Sequence, residues 1–183
     1  MFFIIHSGQT GVERGAHHGA LAAGLQIAGF MPQERRDELG PLPDEVARYL
    51  TPSIEKGPRP ALRANLEIAS GVIVVVTEAA IASTLPTMSW LLKQIRARKV
   101  PLLVADPGTS VADAASWAGQ LPLTCGSRRL VVTGPRSTRW PEGEAVARRL
   151  VTAISLTGVA DTNEPAIGER AARLARSPGM PFA

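Results

Sequence analysis

Apolar and polar residues alternate along the chain in a pattern that predicts short strands separated by helices. The run "FFII" at residues 2–5 is entirely apolar, and "GVIVVVT" at residues 71–77 is rich in β-branched residues with no polar alternation. Continuous apolar runs of this kind are typical of parallel strands that are covered on both faces. We therefore expect a buried parallel sheet.

The rest of the chain continues this alternation. Further strands are predicted at "LQIAGF", "VPLLVAD" and "RRLVVTG", and helices at residues 11–24, 60–70, 87–99, 110–119 and 142–154. Strands that alternate with helices of about 10 to 15 residues indicate right-handed βαβ crossovers. The predicted fold class is α/β, a three-layer Rossmann-like sandwich with a mainly parallel sheet.

A chain of 183 residues, 45% of them hydrophobic, is long enough for one sizeable core and short for two. We expect a single domain over residues 1–156, followed by a C-terminal tail at 157–183 with a short helix at 164–176. The proline-rich passage at residues 31–60 is predicted to be irregular, and only "DEVARYL" within it is helical in pattern.

Two compositional features bear on location. We expect no secretory leader, because the apolar run at residues 2–5 is too short and no charged segment precedes it, and no run of about 18 apolar residues could cross a membrane. The lone cysteine, Cys125, cannot form an internal disulfide, and we expect it to be a small buried apolar residue. These features predict a cytoplasmic protein without membrane association.

The positive charge is concentrated in one segment. Of a formal net charge of +4, residues 128–149 account for all, with six arginines and two glutamates. Nucleic-acid binders usually spread their basic residues over a face and interleave aromatic ones, which make up only 4% of this chain. The pattern favours a compact anionic small molecule as the ligand and does not favour nucleic acid.

Ligands of open parallel sheets bind beyond the carboxyl ends of the strands, so the strand-to-helix junctions are the candidate sites. In "HSGQTG", Gly8 and Gly11 allow a tight turn, while Gln9 and Thr10 offer hydrogen bonds at the helix start. Because glycine and threonine also occur at such turns for structural reasons, this loop alone is weak evidence.

Two later junctions complete the candidate site. In "TGPRSTRWPEGE", Gly134 and Pro135 shape the turn, Arg136 presents a charged fork, and Ser137 with Thr138 can donate to a phosphate. The middle junction, "TEAAIASTLPT", carries Thr84 and Thr87, with Thr87 predicted as a helix N-cap. All three junctions are expected at one edge of the sheet. No Walker A or GxGxxG pattern is present.

Other polar residues give no metal or catalytic set. His17 and His18 are adjacent on a predicted helix, about 100° apart, and cannot chelate one metal together. Glu13 and His17 are four residues apart, which predicts a local surface pair. Tryptophans are predicted to pack in the core, although Trp140, beside the arginine loop, could stack on a ligand ring.

The motif "SGQTGVER" resembles the SGGQTGVDR signature of the molybdenum-cofactor carrier proteins, a circularly permuted branch of the SLOG superfamily of Rossmann-like proteins. The resemblance continues through "ERRDELGPLP", "TPS", the asparagine of "RANLEIASG" and "VTGPRSTRWPEG", and covers residues 2–154. It implies that the first and last junctions converge on one pocket.

The resemblance implies a carrier of molybdenum cofactor (molybdopterin), a phosphate-bearing pterin, which binds this ligand without transforming it and assembles as a homo-oligomer, a dimer or tetramer. Wider SLOG relatives bind nucleotides, and some cleave the N-glycosidic bond of a nucleoside monophosphate. The residues that match the family motifs are Gly8, Gln9, Thr10, Gly11, Arg14, Asn65, Gly134, Pro135, Arg136 and Ser137.

The sequence departs from the family pattern at several positions. Glu13 replaces the family's aspartate, and the family's GGT after the central strand is here "LPT", residues 85–87. Proline supplies no N–H, so this replacement removes a backbone donor from a phosphate cradle. The PGGxGTxxE pattern of the SLOG enzymes is also absent.

Three hypotheses follow. The first is a non-catalytic carrier or sensor of an anionic pterin or nucleotide, with backbone amides of the first junction and the Arg136 loop neutralising the phosphate. The second is a nucleotide-processing enzyme with Glu13 or Glu78 as acid-base residue. The third is an interaction module whose pocket has decayed.

Overall fold

The structure, a computed structural model, describes residues 1–158. Its strands are β1 (Phe2–Ile5), β2 (Gln26–Ala28), β3 (Phe30–Met31), β4 (Thr51–Pro52), β5 (Gly71–Val75), β6 (Leu102–Ala105) and β7 (Arg128–Thr133). Five of them form a fully parallel sheet in the order β2-β1-β7-β5-β6. Strand β7, the last strand within residues 1–158, therefore lies at the centre, between β1 and β5, and its residues 130–133 are all buried.

The helices are α1 (Val12–Ala22), α2 (Asp44–Ala47), α3 (Pro58–Glu67), α4 (Glu78–Arg98), α5 (Val111–Gly119) and α6 (Gly143–Gly158). On one face of the sheet α6 packs between α1 and α5, and α3 and α4 pack together on the other. The first of these contacts is close, since a Cβ on Gly15 of α1 would lie 2.1 Å from the Glu144 carbonyl oxygen. The prediction of a three-layer Rossmann-like sandwich is confirmed.

A small two-stranded sheet, β3 with β4, lies beside the main sheet. Asn65 of α3 holds it: its Oδ1 accepts from the Phe30 N–H at 2.6 Å, and its Nδ2 donates to the Phe30 carbonyl at 3.1 Å. A separate hydrophobic cluster of Met31, Leu42, Val46 and Leu50 fills the space beneath the irregular passage.

One predicted helix boundary is wrong. Helix α4 begins at Glu78 and not at Thr87, because Thr77, two residues after the end of β5, is the N-cap and its hydroxyl accepts from the Ala80 N–H at 3.3 Å. Pro86 lies inside this helix, so Thr87 is a mid-helix residue and not an N-cap. The eight residues before Pro86 are already helical.

Two other expectations also need correction. Cys125 is exposed in a turn with φ +52°, and is not a buried apolar residue. Helix α6 ends at Gly158, so the first two residues of the predicted tail belong to it, and the remainder, with the helix predicted at 164–176, lies outside the described residues. None of the helices in the described part combines the length and apolarity needed to span a membrane.

Candidate functional site

The loop after β1 (residues 6–11, the first loop) meets the loop after β7 (residues 134–142, the last loop). The Val12 N–H donates to the Pro135 carbonyl at 3.3 Å, and the Ser137 N–H donates to the Thr10 hydroxyl at 3.3 Å. Gly11 permits this approach: its φ is +73°, and a Cβ there would lie 2.6 Å from the Ser137 nitrogen. The two loops converge because β1 and β7 are neighbours in the sheet.

A cavity of about 370 Å³ opens beside these loops, at the carboxyl ends of β1 and β7. Its lining combines polar groups of both loops with an apolar wall from α3 and α4. The lining residues are Ser7, Gln9, Glu13, Pro58, Arg59, Leu62, Ser83, Thr84, Pro86, Thr87, Met88, Trp90, Leu91, Thr133, Gly134, Pro135, Arg136 and Arg139. The cavity therefore has a charged rim on one side and an apolar wall on the other.

The Glu13 carboxylate lies buried where the cavity meets the first loop. It accepts hydrogen bonds from the N–H groups of Ser7 at 2.8 Å and Gln9 at 3.2 Å, and from the Thr133 hydroxyl at 3.0 Å. Burial raises the pKa of Glu13, although these three hydrogen bonds act in the opposite direction. The carboxylate therefore ties the first loop to the end of β7.

The first loop is also tied to two buried histidines. The Gly8 N–H donates to His6 Nδ1 at 3.0 Å, which requires that nitrogen to be unprotonated. His6 then carries its proton on Nε2 and donates to His17 Nδ1 at 3.2 Å, which leaves the His17 proton on Nε2. Burial, with the neighbouring positive charges, lowers the pKa of His6 to about 3 and that of His17 to about 4.

The expected surface pair of Glu13 and His17 is therefore wrong. Both side chains are buried, and they face different partners. Glu13 faces the first loop and Thr133, whereas His17 packs against His6 and the ring of Tyr49, with ring centroids 5.4 Å apart. The four-residue spacing places both on α1, but the sheet and the irregular passage cover both sides of that helix.

Two acidic residues of the irregular passage cover the rim of the site. Residues 35–42 form a hairpin, in which the Leu42 N–H donates to the Arg35 carbonyl at 2.8 Å. At its tip, Asp37 pairs with Arg14 Nη2 at 3.1 Å. The Glu38 carboxylate accepts from the hydroxyls of Thr10 and Thr138 and pairs with Arg136 Nε at 3.0 Å.

The opposite side of the cavity carries an exposed cation on an aromatic ring. The Arg59 guanidinium carbon lies 5.3 Å from the centroid of the Trp90 ring, a cation–π contact between α3 and α4. Trp140, the tryptophan considered for ring stacking from the sequence, is buried and lies outside the cavity lining. Trp90 is the tryptophan that faces the cavity.

The structure distributes the predicted site residues over three positions. Six line the cavity: Gln9, Thr84, Thr87, Gly134, Pro135 and Arg136. Five more lie in the two loops or the first turn of α1 without lining it: Gly8, Thr10, Gly11, Arg14 and Ser137. Asn65 is fully buried behind the first loop, where its Nδ2 also donates to the Ser7 hydroxyl at 3.2 Å. Gly8 turns with φ +78° against the side chains of Leu42, Val46 and Leu50.

Sequence reasoning missed Asp37, Glu38, Arg59, Trp90 and Arg139 as members of the site. The segment "ERRDELG" is part of the family resemblance, but its local sequence does not indicate which loop its acidic side chains contact. Arg59 and Trp90 lie 31 residues apart on two helices, so only the packing of α3 against α4 joins them. Within the described residues, no group of three His, Cys, Asp or Glu side chains is arranged to hold a metal ion.

Comparison with known proteins places the chain in a family. Residues 4–155 match the model of the circularly permutated YpsA SLOG family. The chain belongs to this family. The resemblance inferred from the sequence motifs is thereby confirmed at the level of the family.

A solved structure supports the fold. The crystal structure of a "Putative molybdenum carrier protein" from Syntrophus aciditrophicus SB superposes with a TM-score of 0.67 at 21% sequence identity, covering 83% of this chain and 93% of that one. At this identity the likeness establishes the fold. A comparison with curated proteins found no match.

Proposed function

We propose that this SLOG protein binds one small ligand in the cavity, a flat ring system that carries an anionic group, and holds it without chemical change. The observation that supports this is the two-sided lining. An apolar wall, which includes Leu62, Met88 and Trp90, faces a rim with Arg136 and Arg139.

The dimensions suit a ligand of this class. A cavity of about 370 Å³ lies within the range of about 300 to 1,000 Å³ that small-molecule sites occupy. Ring burial against the α3 and α4 side chains supplies non-directional stabilisation of about 25 cal/mol per Å² of apolar surface. Each charge-assisted hydrogen bond from an arginine to a phosphate adds about 1.5–3 kcal/mol.

The family resemblance and the name of the structural neighbour favour molybdenum cofactor as the cargo, with a nucleotide as the related choice. Both combine a heterocycle with phosphate. The residues present fit the phosphate and the ring of either one, through the arginines of the rim and the Trp90 wall. Thr84 and Thr87 lie on the α4 wall, where the Thr84 hydroxyl is already bonded to the Ala80 carbonyl at 2.6 Å.

Binding without catalysis is favoured by the state of the two candidate acids. Both oxygens of Glu13 are held by donors of the protein itself. Glu78 is exposed in the first turn of α4 and lies outside the cavity lining. A general acid or base needs a free position facing the substrate, which neither arrangement provides.

The test compares two arginines of one helix. Arg59→Ala removes a cavity cation, whereas Arg63→Ala removes an exposed arginine one turn later, outside the lining. We expect Arg59→Ala to weaken binding of a nucleoside monophosphate or a phosphorylated pterin by about 0.5–2 kcal/mol in calorimetry, the scale of a cation–π contact beside the ring-binding wall, and Arg63→Ala to leave it unchanged. Equal affinity for wild type and both variants would contradict the assignment of the cavity.

The ligand itself is best identified from protein purified cold and without oxygen. Mass spectrometry and metal analysis of the heat-released material distinguish the candidates: a fluorescent oxidised pterin with molybdenum indicates the cofactor, and a nucleotide indicates the wider SLOG class. Recovery of neither, together with no binding of either added ligand, would contradict the proposed function.

One observation favours a second candidate, an enzyme that cleaves the N-glycosidic bond of a nucleoside monophosphate. Glu13 lines the cavity and burial raises its pKa, as in many catalytic acids. Release of free base from a panel of nucleoside monophosphates, abolished by Glu13→Gln in a protein that still folds, would establish this activity. Wild-type protein that releases none would remove it.

On the family resemblance we also propose that the protein assembles as a homo-oligomer, a dimer or tetramer. Light scattering coupled to size-exclusion chromatography measures the mass directly. A mass of 19.3 kDa, that of one chain, would contradict this proposal.

A further inference from the structure

We infer that the anionic group of the ligand binds in the position that the Glu38 carboxylate now fills, so that Glu38 acts as an internal competitor and the tip of the hairpin, residues 36–40, must move aside for full binding. This inference rests on the proposed function and names the phosphate position and its regulation. Three observations lead to it.

First, three backbone N–H groups of the first loop, those of Ser7, Gly8 and Gln9, already have partners within the protein. The Ser7 and Gln9 N–H groups donate to Glu13, and the Gly8 N–H donates to His6. Glu13 belongs to the first turn of α1 and only 5% of it is exposed, so it is a permanent part of this arrangement. A phosphate placed there would lose these donors and lie against a buried carboxyl.

Second, Glu38 has the partners that an oxyanion takes. Its carboxylate bridges the first loop and the last loop through the hydroxyls of Thr10 and Thr138 and the guanidinium of Arg136. Two hydroxyls and one guanidinium also suit the oxygens of a phosphate monoester. Three of the donors that the sequence analysis named for the ligand are therefore engaged with one side chain.

Third, the element that carries Glu38 is a surface hairpin with its own hydrogen bonds. The Asp37 N–H donates to the Gly40 carbonyl at 2.9 Å, and the Leu42 N–H donates to the Arg35 carbonyl at 2.8 Å. Leu39, beside Glu38 at the tip, is 73% exposed. Outward movement of the tip keeps these internal bonds and breaks only outer contacts, the Arg14–Asp37 ion pair and the hydrogen bond from Gln9 Nε2 to the Arg36 carbonyl, whereas Glu13 cannot leave without disrupting α1.

Arg136 connects this position to the cavity. Its Nε pairs with Glu38, and its side chain, 37% exposed, also lines the cavity. A ligand with its ring against Trp90 and Leu62 can therefore present its phosphate at the rim, where Arg136 exchanges the carboxylate for the phosphate. The buried carboxyl of Glu13 favours the same orientation, with the uncharged ring innermost.

If Glu38 competes with the ligand, the measured affinity is the intrinsic affinity reduced by the fraction of molecules in which the position is open. Glu38→Gln removes the charge that pairs with Arg136. Glu38→Asp keeps the charge on a shorter arm that cannot reach all three donors. Both should strengthen binding of a phosphate-bearing ligand by about tenfold or more, the factor that loss of one charge-assisted hydrogen bond corresponds to.

The experiment measures affinities for a nucleoside monophosphate, the corresponding nucleoside and inorganic phosphate, in wild type, Glu38→Gln, Glu38→Asp and Glu45→Gln. Glu45 is exposed on α2 and controls for net charge. We expect both Glu38 variants to bind the nucleotide and inorganic phosphate more tightly, with nucleoside affinity unchanged and Glu45→Gln behaving as wild type. Thermal melts establish that each variant is folded.

The remaining outcomes separate the two proposals. Nucleotide binding by wild type that neither Glu38 variant strengthens would overturn the role of Glu38 and leave the proposed function standing. Tighter binding of inorganic phosphate by the Glu38 variants, without binding of any nucleotide or pterin, would support the phosphate position and overturn the proposed function. No binding of any probe by any variant would overturn both.

Discussion

Acidification should destabilise this protein through the buried pair of His6 and His17. Each imidazole is neutral in the hydrogen-bonded chain that runs from the Gly8 N–H through His6 to His17. Protonation of His6 would place an N–H against the Gly8 N–H, and protonation of His17 Nδ1 would place an N–H against that of His6. Either event loses a hydrogen bond and leaves a buried charge.

The sign and size of the effect follow from the pKa values. Both histidines start from an ordinary pKa of 6.5 in the unfolded chain and fall to about 3 for His6 and about 4 for His17 in the fold. Between these values and 6.5 the unfolded chain binds more protons, so the stabilisation is complete above pH 6.5 and is lost as the pH falls. From pH 7 to pH 5 the loss is about 2 kcal/mol per histidine, or about 4 kcal/mol together, at 1.36 kcal/mol per pKa unit.

The measurement is urea unfolding at pH 7 and pH 5 for wild type and His17→Asn. Asparagine keeps an acceptor near the position of His17 Nδ1 and does not titrate, so the pH-dependent loss should fall by about 2 kcal/mol in the variant. Glu13 acts in the opposite direction, since its raised pKa adds stability at low pH that is lost as the pH rises through the folded value. Its contribution is common to both proteins and cancels in the comparison.

Histidine NMR gives an independent reading, because the chain holds only three histidines. We expect His6 and His17 to stay neutral at pH 5, with the single ring proton of His6 on Nε2. The reasoning would be refuted if His6 and His17 titrated near pH 6.5, or if His17→Asn lost as much stability as wild type on acidification.

Two further predictions concern packing and hydrogen bonding, and both are checked by thermal or urea unfolding. Gly15→Ala should destabilise the fold by about 1–3 kcal/mol, because its Cβ would meet the Glu144 carbonyl at 2.1 Å, whereas Gly119→Ala on α5, with nothing within 4 Å, should be neutral or stabilising. Equal effects at the two glycines would contradict the close contact of α1 with α6. Asn65→Ala should cost about 2–3 kcal/mol, since it removes both bonds to Phe30 and leaves that N–H without its partner; a loss below about 0.5 kcal/mol would mean that β3 does not depend on it.

Several features of this protein could be predicted from local sequence. The run "GVIVVVT" predicts a buried parallel strand because it is apolar on both faces, and the structure has all five residues of β5 buried. The loops after β1 and β7 are predicted at one edge because parallel strands end together. The family follows from three short motifs whose order and composition are properties of the sequence alone.

The local sequence pattern gave wrong predictions where a neighbouring residue or a distant contact determined the local structure. Thr87 was predicted to begin the helix, yet capping by Thr77, six residues after β5 begins, already starts α4 before it. Cys125 is short and apolar, but the turn at φ +52° turns it to the surface. Glu13 and His17 have the spacing of a surface pair, and tertiary packing buried both.

The sequence by itself determined the strands of the main sheet, the family and the placement of the first and last loops at one edge, because these depend on residues that are close in the chain or on the parallel direction of strands. The adjacency of β1 and β7, which brings the two loops into contact, is a property of the tertiary structure. Only the tertiary structure decided which acid meets which base. The carboxylate of Glu38 reaches Thr10 and Arg136 across 28 and 98 positions of sequence, as their numbering shows. Contacts between residues so far apart in sequence depend on how the helices, strands and loops pack, and no local pattern of residues specifies them.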